Sequence, residues 1–287
     1  MDQTTTFICT GDWGAKTRAY FQNREAIQKQ ALIDFFVLLG DNFYPSGVSS
    51  VQDPQWKDMY EDTFDPKIPS FAVLGNHDYL RSPEAQILYT YEGSSWKMPF
   101  FYYDMVVRLH RQSIHFVFLD TCLLAEDITV PLLMGNLKAI EGYRDLVVTH
   151  QKKQKAWLEE TLRASTSRWK IVCGHYPIIS DGPHTTSAQL RAYLLPVLEH
   201  FGVDFYLSGH DHNLQHRSLN GVNHVVCGAF ASAYPLTRPH GTAHPGKRFS
   251  PTQAVVGFAR FTFSDQRCAM DFVSENRLLY SFITNKS

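Results

Sequence analysis

The chain has 287 residues, 44% of them hydrophobic, with 27 Lys and Arg against 28 Asp and Glu. That is ample apolar material for one sizeable core, and a charge balance so close to zero offers no electrostatic footprint for nucleic acid or an anionic membrane surface. No apolar run approaches the ~20 residues that cross a bilayer, Met1 to Thr6 carry neither region of a secretory leader, and Cys9, Cys122, Cys173, Cys227 and Cys268 lack CxxC spacing and read as buried free thiols.

Taken in order, Thr6 to Thr10 predict a first strand that breaks at Gly11-Asp12-Trp13-Gly14. Ile27, Ala31 and Asp34 stand at helical spacing, which predicts a crossover helix over Arg24 to Asp34. The run Phe35 to Leu39 is a buried strand ending at Gly40-Asp41-Asn42-Phe43-Tyr44. Asp53-Pro54 opens a helix whose apolar face is Trp56, Met59, Tyr60 and Phe64. Ile68 to Leu74 is a third strand, running into Gly75-Asn76-His77-Asp78, and a short helix follows over Pro83 to Tyr91. Phe100 to Tyr103 and Val106-Val107 read as edge strands, with His110 and His115 as ordinary strand histidines, and Ile114 to Leu119 ends at Asp120-Thr121.

Residues 125 to 150 read as a long connection, either a lid or a surface excursion. His150 opens a helix presenting Trp157, Leu158, Thr161 and Leu162. Trp169 to Cys173 leads to Gly174-His175-Tyr176-Pro177, and the helical segment from Ala188 is expected to split in two at Pro196. Val203 to Ser208 ends at Gly209-His210-Asp211-His212. Asn223 to Cys227, Gly257 to Phe263, Cys268 to Ser274 and Arg277 to Ile283 read as antiparallel strands, the last two joined at Glu275-Asn276. Thr237 to Thr252, with Arg238, His240, His244, Lys247 and Arg248, is a long basic loop.

Ligand sites in strand-helix sheets lie beyond the carboxyl ends of the strands. Five glycine-marked ends carry Asp12, Asp41 with Tyr44, Asn76 with His77, His175, and His210 with His212. One such tip alone is usually a turn, but five in register form a two-metal donor set. Carboxylate, amide and phenolate supply oxygen and imidazole supplies nitrogen, a mixture suited to Fe(III) beside a divalent Fe, Zn or Mn rather than calcium. Asp41 can bridge both ions, and Tyr44 suits the trivalent one.

These motifs resemble the metallophosphoesterase superfamily, and within it the purple acid phosphatases. The resemblance is carried by Asp12-x-Gly14, Gly40-Asp41-x-x-Tyr44, Gly75-Asn76-His77-Asp78, Val172-x-x-His175 and Gly209-His210-x-His212, and it spans almost the whole chain. It implies one α/β domain over 1–287, a four-layer αββα sandwich of two mixed sheets flanked by helices. It implies Fe(III) on Asp12, Asp41, Tyr44 and His212, and the divalent ion on Asp41, Asn76, His175 and His210. The implied activity is acid phosphatase: attack of a metal-bound hydroxide on phosphate monoesters, with His77 and His184 facing the substrate. Small phosphorylated compounds or phosphoproteins are the expected substrates, and the chain is expected to act as a monomer with no nucleic acid partner and no membrane span.

Two other readings remain open: a phosphodiesterase or nucleotide hydrolase of the same superfamily, and a non-catalytic scaffold such as a membrane-complex anchor on the same fold. The polar end Asn285-Lys286-Ser287 and the full donor set favour the enzyme. Secreted animal members join the loop after the Asp120 position to the segment after Tyr176-Pro177 by a disulfide, whereas no cysteine lies between Ile178 and Leu195 here. Family habit points to secretion or lysosomes and the free thiols to the cytosol, so the compartment stays open.

Overall fold

In the computed structural model, residues 4–125, 143–184, 187–236, 246–251 and 253–286 are described. The strands run in chain order as β1 (Thr5–Thr10), β2 (Phe35–Leu38), β3 (Ser70–Ala72), β4 (Trp96–Lys97), β5 (Tyr103–Arg108), β6 (Ser113–Phe118) and β7 (Trp169–Cys173). They continue as β8 (Phe205–Ser208), β9 (Leu214–Leu219), β10 (Val222–Cys227), β11 (Lys247–Phe249), β12 (Phe258–Phe263), β13 (Arg267–Ser274) and β14 (Arg277–Asn285). They form two seven-stranded mixed sheets, ordered β14-β13-β12-β1-β2-β3-β4 and β11-β9-β10-β8-β7-β6-β5. The helices are α1 (Arg18–Gln28), α2 (Pro83–Tyr89), α3 (Thr121–Leu124), α4 (Tyr143–Ala164) and α5 (Ala188–His200), joined by a π-helical turn over Trp56–Glu61. Two mixed sheets flanked by helices are the expected αββα architecture.

The apolar runs explain the layering. Strands covered on both faces read as unbroken hydrophobic stretches, and β1, β2 and β10 are buried at every residue. Phenylalanines fill the space between the sheets. The Phe7 ring of β1 stacks on Phe261 at 4.8 Å and meets Phe116 of the other sheet edge-on at 5.3 Å, while Phe205 meets Phe261 at 5.5 Å. Aromatic pairs of this kind add roughly 0.5–1.5 kcal/mol each beyond their area burial. All five cysteines are buried and free.

The parallel strands set the site. β1, β2 and β3 run parallel in one sheet, and β6, β7, β8 and β10 run parallel in the other. Their carboxyl ends therefore open onto one rim. At that rim the Gly11 amide donates to the Cys227 carbonyl across the sheets at 2.8 Å, and the Asp12 amide donates to the Gly40 carbonyl at 3.0 Å.

Several local expectations are corrected. The crossover helix α1 spans Arg18–Gln28 instead of Arg24 to Asp34, capped by Thr17, whose hydroxyl accepts from the Tyr20 amide. Ala31 and Asp34 lie beyond it and are exposed. α5 is one helix despite Pro196, because Leu190, Leu194 and Leu198 keep one apolar stripe docked on both sides of the lost hydrogen bond. His150 sits inside α4 and does not open it. Phe100 to Tyr102 precede β5 without joining it, and His110 lies in the β5–β6 turn, 3.7 Å from Asp265. His115 is a buried strand residue between Asp104 and Ser165. The third strand shortens to Ser70–Ala72, and β9, Leu-Gln-His-Arg-Ser-Leu, is an additional strand hidden in sequence by its polar residues. Trp56, Met59, Tyr60 and Phe64 are core, as expected. The apolar islands at 130–134 and most of the basic loop at 237–252 lie outside the described residues.

Candidate metal centre

Each strand end turns sharply to aim a side chain into the rim. Asp12, Asp41 and His210 adopt left-handed backbone with φ of 56°, 51° and 66°. A non-glycine residue holds that conformation at a cost of about 1–3 kcal/mol, repaid by its surroundings, and such positions cluster at functional sites. Gly40 makes the Asp41 turn possible: its φ is +88°, and a Cβ there would lie 2.6 Å from the Gly75 amide nitrogen and 2.8 Å from His175 Nδ1.

The structure brings together all nine residues singled out from sequence. The Tyr44 hydroxyl lies 2.8 Å from Asp41 Oδ2, 3.1 Å from Asp12 Oδ1 and 3.3 Å from His212 Nε2. His212 Nε2 is 3.2 Å from Asp12 Oδ1. On the other side of Asp41, His175 Nε2 stands 3.1 Å from Asn76 Oδ1 and 3.5 Å from Asp41 Oδ1. The His210 ring lies 5.1 Å from the His175 ring. Asp12, Asp41 and His175, all buried, each offer an atom within 4.8 Å of the others. His77 and His184 flank this group. His77 Nε2 is 3.9 Å from Asp41 Oδ2, and the His184 ring is 4.5 Å from His210 and 6.3 Å from His212.

Outer hydrogen bonds fix the imidazoles. The Leu39 carbonyl, 2.8 Å from His175 Nδ1, can only accept, so Nδ1 donates to it and the ring is fixed with Nε2 facing Asn76 and Asp41. His77 Nδ1 donates in the same way to the Pro45 carbonyl at 2.6 Å. His212 Nδ1 is held by the Ser232 hydroxyl at 2.5 Å.

The electrostatics call for a cation. Burial opposes the Asp12 carboxylate, yet its contact with His212 brings its pKa down to about 2. Burial together with Asp12 and Asp41 pushes the Tyr44 phenol far up, so the bare site cannot ionise it. Burial holds His210 well below the ordinary imidazole range, in the neutral form that coordinates. Two buried carboxylates, a phenol and imidazole nitrogens thus converge, with histidines as the ion-pair partners of Asp12 and Asp41 among the described residues. Carboxylate, amide, phenol and imidazole match the hard-to-borderline ions Fe, Zn and Mn.

Sequence reasoning missed the supports. Asp78 is fully buried and accepts from the Gly75 amide at 2.8 Å, the Asn42 amide at 3.1 Å and the Gln86 side chain at 2.8 Å, tying two strand ends together. Its place in Gly-Asn-His-Asp was the available signal. Thr121 Oγ1 accepts from the His175 and Tyr176 amides, both at 2.9 Å. Tyr234 stacks on His212 at 4.6 Å and had no signal in sequence.

A family model for the calcineurin-like phosphoesterases matches residues 5–214. The chain belongs to this family. Within it the relatives are purple acid phosphatases: tartrate-resistant acid phosphatase type 5 of Mus musculus is 34% identical over 94% of this chain and 86% of its own length. Purple acid phosphatase 17 of Arabidopsis thaliana is 31% identical over 99% of this chain and 86% of its own. Among solved structures, GAP50, described as the anchor in the inner membrane complex of Plasmodium, superposes with a TM-score of 0.84 at 26% identity, covering 99% of this chain and 90% of that one. This calcineurin-like phosphoesterase therefore shares its fold with named phosphatases and with a named anchor. No described helix is long and apolar enough to cross a membrane.

Proposed function

We propose that this chain is an acid phosphatase hydrolysing phosphate monoesters at a binuclear metal centre. The observation that carries the reading is the convergence of Asp12, Asp41, Tyr44 and His175 on one buried point, with the His175 imidazole nitrogen turned toward carboxylate and amide oxygens. Asp12, Asp41, Tyr44 and His212 would hold Fe(III), and Asp41, Asn76, His175 and His210 a divalent Fe, Zn or Mn. When bound, two such cations clamp a phosphoryl group, acidify water to hydroxide and neutralise charge in an in-line displacement.

The chain's own residues supply the rest. Asp41 faces both halves of the site through its two oxygens, Oδ2 toward Tyr44 and Oδ1 toward His175. His77 is fixed with Nε2 as its reactive nitrogen, in reach of a phosphate oxygen or a leaving group. His184, exposed beside His210, meets the substrate from the opposite side. The substrates we propose are small phosphorylated compounds or a phosphorylated side chain, and the chain is proposed to act as a monomer of one domain.

The test is turnover of p-nitrophenyl phosphate across acidic and neutral pH, with metal analysis and a visible spectrum of the same sample. The expected result is about two metals per chain, an acidic optimum, and a tyrosinate-to-iron absorption band lost in Tyr44→Phe. A protein that stays colourless and inactive after reconstitution with iron and zinc would overturn the reading in favour of a binding scaffold. Faster turnover of bis-p-nitrophenyl phosphate would move it to the phosphodiesters.

A further inference from the structure

His184 is the one site histidine carried on a loop away from a strand end, and the loop is bolted from beneath. Ser180 and Asp181 are buried, and Asp181 forms a buried ion pair with Arg217 of β9. The Asp181 amide donates to Gln215 Oε1 at 2.9 Å, and Gln215 Nε2 donates to the Ser180 hydroxyl at 2.7 Å. Beyond it, the His184 amide donates to Asp211 Oδ1 at 3.0 Å, and Asp211 stands between His210 and His212. The contact leaves no slack at the turn: a Cβ on Gly182 would fall 2.4 Å from Asp211 Cγ.

Of the three anchors, Asp211 lies between His210 and His212 in the turn after β8, and Gln215 and Arg217 lie in β9, which follows that turn directly. The loop is thereby registered to the strand end that carries those two histidines. Among these contacts the ion pair alone joins opposite charges inside the protein, where removing one partner strands the other. Like the Gln215 contacts it needs β9, whereas the Gly182 amide to Ser180 hydroxyl bond at 3.0 Å could form in an isolated turn.

We propose that Arg217, through Asp181, is a positioning residue for catalysis: it holds the loop Ser180 to His184 on β9 so that the His184 imidazole faces the phosphoryl group beside His210. This rests on the phosphatase reading given above. Arg217 acts through Asp181, its buried ion-pair partner. A displacement of about 1 Å in a substrate-facing group can cost up to about 100-fold in rate, so a fixed loop is worth a buried charge pair.

The experiment is a double-mutant cycle on the metal-loaded protein. Arg217→Met alone strands the Asp181 carboxylate and can unfold the chain, so the main variant is Arg217→Met with Asp181→Leu, which removes both charges and keeps the volume. The expected result is unchanged metal content, a kcat lower by about 10-fold, and no further loss when His184→Ala is added, because the two changes remove one contribution. Arg217→Lys with Asp181 intact is expected to restore most of the rate. Hydrogen exchange is read on the same variants, and the amides of Asp181, Gly182 and His184 are expected to lose protection while those of β8 keep theirs. Losses that multiply in the triple variant, or wild-type exchange across the loop, would overturn the proposal. If the unmutated protein hydrolyses nothing, the phosphatase reading fails and with it the catalytic role of Arg217. The exchange data then decide separately whether the ion pair anchors the loop.

Discussion

The two sheets contribute unlike chemistry to the rim. The ends of β1, β2 and β3 bring Asp12, Asp41, Tyr44 and Asn76, all oxygen donors, whereas β7 and β8 bring His175, His210 and His212, all nitrogen donors. The oxygen half concentrates negative charge, and the nitrogen half is kept neutral at His210 by burial. In the proposed centre each ion draws on both halves. The packed phenylalanines between the sheets hold these two halves together.

The sharpest way to break this pairing is Asp41→Asn, since Asp41 reaches both halves. We expect kcat/KM for p-nitrophenyl phosphate to fall by at least about 10³-fold, the scale of losing a major electrostatic contribution, with loss of metal by elemental analysis. The metal-free variant is expected to melt a few degrees higher, ~2–4 °C, because one of two crowded buried carboxylates has been neutralised. A metal-free Asp41→Asn protein that melts lower would show that the oxygen half is stable without a cation.

Next in size is a change inside each half. His210→Ala should cost about 100-fold in kcat while leaving any tyrosinate band in place, and Tyr44→Phe should remove the band at a cost of about 10-fold. If His210→Ala abolished the colour as well, the division of donors between two ions would be wrong.

A smaller effect reads the electrostatics of the joint between the halves. Asp120 ends β6 and caps α3, and its carboxyl is raised to about 6 by burial, against the lowering contacts of Tyr79 and the Leu123 amide. A carboxyl raised in the folded state binds its proton more tightly there than in the unfolded chain. Its stabilising contribution is complete below about pH 4 and is lost as pH rises through about 6, amounting to up to about 3 kcal/mol. Asp120→Asn keeps the capping oxygen and is expected to flatten stability between pH 4 and 6 in urea titrations. An unchanged pH slope would remove Asp120 from this account.

Much of the oxygen and nitrogen sets was legible because each stands where an apolar run meets glycine: Gly11-Asp12, Gly40-Asp41, Gly75-Asn76, Gly174-His175 and Gly209-His210. That signal is local. The supports were not legible, because their partners are remote in sequence. Asp181 gains meaning only from Arg217, and β9 reads as polar because its Gln215, His216 and Arg217 are buried against partners from elsewhere. The start of α1 was misplaced for a related reason: Asn23, on its buried face, donates to the Phe230 carbonyl at 2.8 Å, so a polar residue occupies an apolar position in the period. Pro196 misled in the opposite direction, since docking at Leu194 and Leu198 outweighs its local penalty.

The smallest effect separates strain that serves the site from strain that does not. Asp12 and Asp41 hold left-handed backbone at the rim, and so do Glu275 and Asn276, with φ of 47° and 63°, in the β13–β14 hairpin at the outer edge of the same sheet. Two successive positive φ values are the turn that favours Asn-Gly. Glu275→Asn with Asn276→Gly should therefore stabilise the protein by about 0.5–1 kcal/mol without touching turnover. The same relief at the rim, Asp41→Gly, should instead remove activity. If the hairpin variant gained nothing, left-handed backbone would be no burden in this sheet, and its presence at Asp12, Asp41 and His210 would lose its weight as a mark of function.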